Sequence, residues 1–303
     1  MANIGIIGSG NVGANTAFFV AEKGVADVTL YDIQDGLSTG KALDMMEAAP
    51  VRGYRTRIKG SDSTAGVKKN DIVIVSAGGV RQPGMKREDL FEANRSIIDS
   101  VAADLVEYTG VVIMVTEPVD ALTAYFVEKT KLPRTKVMGL GGLLDSTRLR
   151  YLIAHELGVT MDDVSALVVG RHSDAMIPLA RYTCVSGVPV TQLMSAERLT
   201  ELFDETKTAG DVIVTMAQRA SAYYGPSAAA SDLAEAVCRD SRRVLPVSVT
   251  LAGEFGVSGV AMTLPAIVGR NGIHRIILPE LSEDEVPRFS RSAADLATMT
   301  KSA

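Results

Sequence analysis

The sequence is poor in the residues and runs that mark several classes of protein. Its two cysteines, Cys184 and Cys238, lie far apart, which argues against a disulfide framework or a thiolate metal site and favours a reducing compartment. No block of basic residues indicates nucleic-acid binding, and no apolar run approaches the ~20 residues that a membrane-spanning helix needs. We therefore expect a cytoplasmic protein that holds no metal and binds neither nucleic acid nor membrane.

What is present is typical of a folded globular chain. Of 303 residues, 47% are hydrophobic and 22% are charged, and the net charge of −5 is spread along the sequence. This length exceeds the usual range of one hydrophobic core, so we expect two lobes of roughly 100 to 200 residues each. No internal repeat or long flexible linker separates them, which favours close packing with a cleft between the lobes.

In the first half, short apolar segments alternate with amphipathic ones. Four continuous β-branched runs predict buried strands at 3–8, 27–32, 71–78 and 111–116. Helix-like spacing of apolar residues predicts helices at 12–23, 38–48 and 88–108. Parallel strands joined through helices give a doubly wound α/β plan.

The second half, from about Gly141, loses this alternation. Its patterns predict helices at 143–157, 195–222, 227–239 and from about 282. They predict strands or short β stretches at 164–169, 176–190, 243–251 and 260–268. Two architectures imply two domains, which we assign to residues 1–141 and 142–303.

The segment GSGNVG places Gly8, Gly10 and Gly13 directly after the first strand and at the start of a helix. The first glycine permits a tight turn, the second lets backbone approach a pyrophosphate, and the third allows the helix to pack closely on the strand. The second strand ends at Asp32, 19 residues after Gly13, near the ~20-residue separation at which a carboxylate meets the adenosine ribose. That carboxylate would repel a 2′-phosphate, so the pattern predicts NAD rather than NADP; the alternative is a glycine turn that only packs a helix.

Three histidines are candidates for acid–base chemistry. His155 lies in a helical pattern and lacks the second histidine of a helical zinc site, which predicts a surface position. His274 has no polar cluster nearby in the sequence. His172 follows an apolar strand where a polar turn begins, so its ring would lie at a strand end, facing solvent or a cleft. The residues by themselves leave both a structural and a catalytic role open for His172.

Several separated segments resemble one family. The segments AGGVRQPGMKREDL, LLDSTRLR, GRHSDAMIP and SAYYGPSAAA are similar to the NAD-dependent malate and lactate dehydrogenases, and in particular to the lactate dehydrogenase-like malate dehydrogenases. The resemblance extends from Ile4 to the last helix and keeps the order of the motifs. It implies a Rossmann-type doubly wound parallel sheet followed by a mixed α+β catalytic domain, hydride transfer between NAD and a 2-hydroxy acid, and a homodimer or homotetramer.

The resemblance also implies roles for individual residues. His172 matches the proton donor, Asp145 matches the carboxylate that orients its ring, and Arg148 matches the arginine that binds the substrate carboxylate. From position alone, Asp145 could instead cap a helix and Arg148 could lie in solvent. Asn94 matches a polar residue near the nicotinamide. The cofactor residues that we assign are Gly8, Ser9, Gly10, Asn11, Val12, Gly13, Asp32, Asn94, Val115, Thr116 and Glu117.

The segment RQPGMKR predicts a loop, because Pro83 and Gly84 interrupt it between a strand and a helix. Arg87 matches the residue that polarises the substrate carbonyl, and Arg81 matches the position at which the family selects its substrate. Glutamine there accompanies lactate dehydrogenases and arginine accompanies malate dehydrogenases, because a second substrate carboxylate needs a partner. The resemblance thus implies oxidation of (S)-malate to oxaloacetate, as in the tricarboxylic acid cycle; a basic surface loop is the alternative.

Two positions depart from the family. Thr116-Glu117-Pro118 stands where the family usually has Thr-Asn-Pro, and Ser173 follows the histidine where the family usually has glycine. Glu117 falls where the family's asparagine contacts the substrate and the nicotinamide ribose, unless it is a surface glutamate. Ser173 matters if its position requires a positive φ. These departures keep two alternatives open: a dehydrogenase of another 2-hydroxy acid such as lactate, and an NAD-binding module with weakened catalysis.

Overall fold

The computed structural model describes residues 2–79, 84–85, 88–217 and 221–301. Two predicted site residues, Arg81 and Arg87, lie outside the described residues, as does part of the predicted helix 195–222. Across the described ranges, no helix is both long and apolar enough to cross a membrane. In the same ranges, no group of three or more histidine, cysteine, aspartate or glutamate side chains could hold a metal ion.

A parallel sheet forms the first half of the chain. Its strands are β1 (Asn3–Ile7), β2 (Asp27–Tyr31), β3 (Ile58–Ser61), β4 (Ile72–Val75), β5 (Val111–Met114) and β6 (Val137–Gly139). They lie in the order β3-β2-β1-β4-β5-β6, and every neighbouring pair is parallel. The direction of winding therefore reverses between β1 and β4, and sheets of this kind bind ligands at the carboxyl ends of the strands beside that point.

Helices connect these strands, because parallel neighbours need a crossover that returns the chain to the same edge of the sheet. The helices are α1 (Asn11–Glu22), α2 (Leu37–Arg52), α3 (Thr64–Val67), α4 (Phe91–Asp104) and α5 (Val119–Thr130). Only residues 8–10 separate β1 from α1, and residues 115–118 separate β5 from α5. The glycine turn and the segment with Glu117 consequently lie at the same edge of the sheet.

The second half continues the same sheet. Its helices are α6 (Gly141–Leu157), α7 (Ala196–Ala217), α8 (Tyr224–Cys238) and α9 (Glu285–Lys301). Its short strands are β7 (Val164–Ser165), β8 (Val168–Val169), β9 (Ile177–Pro178), β10 (Cys184–Val185) and β11 (Val188–Pro189), and its longer ones are β12 (Arg243–Ala252), β13 (Ser258–Gly269) and β14 (Gly272–Ile276). The three longer strands are antiparallel, and β12 joins β6 where Ser248 lies opposite Gly139.

The main hydrophobic core is shared by both halves. Ile6 of β1 and Ile113 of β5 belong to the same buried cluster as Val247 of β12 and Leu264 of β13. A smaller cluster, around Leu149, packs α6 against α7 and the short strands. Because cores of this kind are close-packed, groups from the two halves are held at defined distances from each other.

The predicted α/β alternation agrees with the structure, but several elements were missed or given the wrong bounds. The strands β3, β6 and β14 and the helices α3 and α5 were not predicted. Most of α5 is buried, so it lacks the polar face that marks a helical period. The helix predicted at 88–108 is a 3-10 turn at Glu88–Leu90 followed by α4, and the strand predicted at 71–78 ends at Val75.

Candidate active site

The glycine turn after β1 packs the start of α1 tightly against the sheet. Gly8 has a φ of +99°, and a Cβ added there would come within 2.5 Å of the backbone nitrogen of Ala77. A Cβ added to Gly13 would overlap the carbonyl oxygen of Gly8. Neither position accepts a side chain unless the backbone moves, so both glycines are required by the fold.

Gly10 is different, because it borders open space. No described heavy atom outside its immediate neighbours lies within 4 Å of a Cβ added there, and its φ of −64° is accessible to any residue. It directly precedes α1, whose first N–H groups lack acceptors within the helix and form the positive end of the helix dipole. The turn therefore has the space and the donors that a pyrophosphate requires.

Asp32, just after β2, lies beside this turn. Its Oδ2 accepts the backbone N–H of Ser9 at 2.7 Å, and its Oδ1 accepts that of Gln34 at 3.0 Å. The hydroxyl of Ser9 in turn donates to the carbonyl of Tyr31 at 3.2 Å. A carboxylate has about four acceptor positions, so Asp32 can still accept hydrogen bonds from ribose hydroxyls.

His172 follows β8 and is 6% exposed. Its Nδ1 lies 2.6 Å from Oδ2 of Asp145, which is 1% exposed. Asp145 lies inside the second turn of α6 and is therefore not a helix cap. Since an ionised carboxylate only accepts, the hydrogen of the neutral ring lies on Nδ1 and the lone pair lies on Nε2.

Asp120, in the first turn of α5, holds the backbone of His172. Its Oδ2 accepts the N–H of His172 at 2.6 Å, and its Oδ1 accepts the hydroxyl of Ser248 at 2.5 Å. Burial raises the pKa of Asp120 to about 6, although both hydrogen bonds favour the charged form. Because Ser248 lies on β12, this carboxylate joins α5, β12 and the segment with His172.

Glu117 lies between β5 and α5, and its side chain reaches the same histidine. Its Oε1 is 3.1 Å from Nε2 of His172, and its Oε2 accepts the N–H of Val119 at 3.2 Å. The side chain is 31% exposed. Glu117 therefore lines the cleft and is not a glutamate of the outer surface.

Asn94, on α4, is buried behind this segment. Its Nδ2 donates to the carbonyl of Glu117 at 2.6 Å, and its Oδ1 accepts the N–H of Gly79 at 2.7 Å. The amide joins the segments that follow β4 and β5. Asn94 thus supports the backbone of Glu117, a contact that the sequence did not indicate.

One cleft, open to solvent, is lined by several of these groups. The predicted site residues that line it are Val12, Val115, Thr116, Glu117, Arg148 and His172. Arg148 is three residues after Asp145 on α6, with its Nη1 at 3.5 Å from Oδ1 of that residue, and its side chain is 13% exposed. The cleft therefore combines an acid–base pair and a cation with an opening toward the glycine turn.

Two family models match this chain. They describe the NAD binding domain of lactate/malate dehydrogenase, at residues 2–139, and its alpha/beta C-terminal domain, at residues 143–303. The chain belongs to the lactate/malate dehydrogenase family. The predicted family, the α/β fold and NAD as the cofactor are thereby confirmed.

Individual relatives cover nearly the whole chain. A malate dehydrogenase of Desulforudis audaxviator is 41% identical to it over 98% of this chain and 97% of its own length. The crystal structure of Cryptosporidium parvum malate dehydrogenase has a TM-score of 0.97 at 35% identity, and covers 99% of this chain and 98% of that one. A lactate dehydrogenase of the same organism, complexed with lactic acid and NAD, has a TM-score of 0.95 at 34% identity, with 99% and 97% covered.

Ser173, which stands where the family resemblance implies a glycine, is not strained. Its φ is not in the left-handed region that favours glycine. Its backbone N–H donates to the carbonyl of Arg171 at 2.8 Å, and its hydroxyl accepts the N–H of Ala175 at 3.1 Å. The serine is buried and fits its position, so Glu117 is the departure with consequences for the site.

The other two histidines of this family member lie away from the cleft. His155 is exposed on α6, as predicted, and stacks on Tyr151 with 6.0 Å between ring centroids. His274 on β14 is also exposed, 3.8 Å from Asp240. Neither lines the cleft that holds His172.

Three polar residues that hold the site were not predicted. Asp120 accepts the backbone N–H of His172, and Ser248 donates its hydroxyl to Asp120. Thr263 on β13 pairs through its backbone with Gly170, and its hydroxyl accepts the N–H of Gly142 at 3.0 Å. Asp120 had a weak signal, as a charged residue in an otherwise apolar first turn, whereas the serine and threonine contact partners more than 90 residues away and had no local signal.

Two of the three glycines of the turn, Gly10 and Gly13, are expected to respond differently to alanine. Gly10→Ala should leave the free energy of unfolding nearly unchanged and weaken NADH binding at least about tenfold, because the methyl group occupies the opening. Gly13→Ala should destabilise the fold by roughly 1–3 kcal/mol, because its Cβ overlaps backbone. Urea unfolding and NADH titration measure both effects. Unchanged NADH affinity in Gly10→Ala would show that the pyrophosphate does not approach that residue.

Proposed function

We propose that this chain is a malate dehydrogenase that interconverts (S)-malate and oxaloacetate with NAD. One observation carries the proposal: the buried His172–Asp145 pair borders a cleft that Val12 of the glycine turn and Arg148 also line. The name of the relative from Desulforudis audaxviator supports the choice of substrate. A binding module without turnover would not require a buried acid–base pair beside its cofactor site.

His172 exchanges a proton with the substrate oxygen. The cofactor, when bound, supplies the hydride. Reduction also needs a proton on the oxygen that becomes the hydroxyl, and the imidazolium of His172 gives it from Nε2. Asp145, 2.6 Å from Nδ1, keeps the ring in the required tautomer and stabilises its charged form. Asp120 acts through the backbone and keeps His172 at the cleft.

The arginines select and orient the substrate. Arg148 borders the cleft with a largely buried side chain, and its planar guanidinium suits bidentate binding of a carboxylate. By the family resemblance, Arg87 polarises the reacting carbonyl and Arg81 pairs with the second carboxylate. A second carboxylate without a cation is costly in a closed cleft, so Arg81 favours a dicarboxylate.

The residues around the glycine turn hold the dinucleotide. The N–H groups beside Gly10 bind the pyrophosphate, and Asp32 accepts the hydroxyls of the adenosine ribose. Val115 and Thr116 line the cleft and Asn94 is buried behind it, and we assign these residues to the nicotinamide end.

The organisation of the chain follows from the same proposal. We assign residues 1–141 to an NAD-binding domain and 142–303 to a catalytic domain, a division supported by the two matched segments. We further propose a homodimer or homotetramer that acts in the cytoplasm, within the tricarboxylic acid cycle. Light scattering of the purified protein measures the oligomeric state.

Lactate dehydrogenase is a second candidate, favoured by the TM-score of 0.95 to the Cryptosporidium parvum enzyme. The same His–Asp pair could protonate the carbonyl oxygen of pyruvate. By the family resemblance, however, Arg81 stands where lactate dehydrogenases have glutamine. Absorbance assays of NADH oxidation with oxaloacetate, pyruvate and 2-oxoglutarate separate the two candidates. We expect the highest kcat/KM with oxaloacetate, and a preference for pyruvate would overturn the proposal.

Cofactor choice should depend on Asp32. We expect kcat/KM to be at least about 100-fold higher with NADH than with NADPH, because the carboxylate repels a 2′-phosphate. Asp32→Ser should narrow this ratio. Initial rates with each cofactor at saturating oxaloacetate give the ratio of the two kcat/KM values. Equal values in the unmodified enzyme would show that Asp32 does not face the ribose.

Substrate choice should depend on Arg81. Arg81→Gln should lower kcat/KM for oxaloacetate and raise it for pyruvate, and so change their ratio by about tenfold or more, because the second carboxylate loses its partner. The same assays on Arg55→Gln, an exposed arginine, control for loss of surface charge. An unchanged ratio in Arg81→Gln would remove this residue from the specificity site.

Proton transfer should depend on His172 and Asp145. His172→Asn should lower kcat by about 10²–10⁴-fold with NADH affinity intact, and Asp145→Asn should lower kcat by disturbing the tautomer. Stopped-flow rates and NADH fluorescence titrations measure the two quantities. His155→Asn, an exposed histidine on the same helix as Asp145, is the matched control. A His172→Asn variant that keeps most of its kcat would require another acid.

A further inference from the structure

The ring of His172 lies between two carboxylates. Oδ2 of Asp145 is 2.6 Å from Nδ1, and Oε1 of Glu117 is 3.1 Å from Nε2. The family resemblance implies an asparagine at the position of Glu117. The amide of an asparagine can donate a hydrogen bond, whereas an ionised glutamate can only accept one. The environment of Nε2 therefore differs in charge and in hydrogen-bonding character from the one that the resemblance implies for the family.

The two carboxylates together favour the imidazolium form of His172. In the neutral ring, the hydrogen lies on Nδ1 toward Asp145, so the lone pair of Nε2 faces the oxygen of Glu117. Two acceptors at 3.1 Å repel each other. A proton on Nε2 replaces this repulsion with an ion pair, and the surrounding protein screens that pair less than water would.

Some of the other charges near the ring favour its protonated form, and others oppose it. The described charged groups around His172 are Asp145 and Arg148 on α6, Asp120 on α5, Glu117 before α5, and Arg171 and Asp174 beside the histidine in sequence. Arg148, 3.5 Å from Asp145, offsets part of the negative charge on the Nδ1 side. Glu117 contacts the Nε2 side directly, so its removal is expected to change the charge on the ring most selectively.

We propose that Glu117 is a positioning residue that keeps His172 protonated up to a higher pH than an uncharged side chain would. The inference rests on the proposed function of His172 as the proton donor. Glu117 also occupies the direction from Nε2 that the substrate oxygen needs, so the glutamate has to turn away when oxaloacetate binds. Its contact with Nε2 thus stabilises the protonated ring in the free enzyme. The same contact competes with the substrate oxygen for Nε2.

Histidine NMR tests the protonation directly. The chain has three histidines, so the titration of His172 in ¹³C-histidine-labelled protein can be followed next to those of the exposed His155 and His274. Glu117→Gln keeps the length of the side chain and removes its charge. The midpoint of His172 should fall by about one pH unit or more in this variant, while the other two midpoints stay unchanged. An unchanged His172 midpoint would overturn the proposal.

The pH dependence of kcat/KM is a second measurement, and a purely structural role of Glu117 would leave it unchanged. Reduction needs the imidazolium and oxidation needs the neutral ring. The alkaline limb of kcat/KM for oxaloacetate and the acidic limb for malate should therefore both move to lower pH in Glu117→Gln, by the same interval. The KM for oxaloacetate should fall in Glu117→Asn and in Glu117→Gln, since both remove the competing charge. Limbs that stay in place in both variants would also overturn the proposal.

The two hypotheses can fail separately. Suppose that the titration midpoint of His172 shifts in Glu117→Gln, but that neither the unmodified protein nor the variant reduces oxaloacetate. The role of Glu117 is then supported, and the malate dehydrogenase proposal is wrong. If oxaloacetate is reduced and the midpoint does not shift, the proposed function stands and the role of Glu117 is wrong.

Discussion

The site depends on a buried carboxylate that touches three parts of the fold. Asp120 lies in the first turn of α5 and accepts hydrogen bonds from the backbone of His172 and from Ser248 on β12. These partners lie 52 and 128 residues away in sequence. A buried carboxylate without such donors would be strongly unfavourable, so the contact forms only when the halves of the chain are assembled. The assembled contact holds the backbone of His172, whose side chain lines the cleft.

Asp145 completes the arrangement from a different element. It lies within α6 and meets Nδ1 of His172, while Arg148 lies on the same helix and lines the cleft. One helix therefore supplies both the carboxylate that contacts the proposed proton donor and the cation that we assign to the substrate. Because the i and i+3 positions of a helix are neighbours, this spacing is set locally by the sequence LLDSTR.

Glu117 changes the charge of this site without changing its construction. Its backbone is held by Asn94, and its side chain places a carboxylate next to Nε2 of His172, where the family resemblance implies a neutral amide. The family likeness over nearly the whole chain and the retained His–Asp pair indicate an enzyme of the same chemistry. The altered charge is expected to change the pH range in which that chemistry operates.

Much of the first half could be predicted from the sequence, because the signals are local. The apolar runs of β1 and β5 and the glycines of the turn depend on residues within a few positions of each other. The strand β3 and the helix α5 escaped prediction, since β3 buries only Ile58 fully and α5 has little polar face. The bounds of α4 were misjudged because helical spacing continues beyond the residues that form the helix.

By itself, the sequence determined the glycine turn with Asp32 at its expected distance, and the helix that carries Asp145 and Arg148. Only the tertiary structure decided what surrounds His172, because Asp120, Asp145 and Glu117 reach it from separate segments. Which of their atoms face Nδ1, Nε2 and the backbone depends on strand pairing and on the packing of α5 and α6. Those contacts span from 27 to 55 residues of chain, a separation at which no local pattern encodes the geometry.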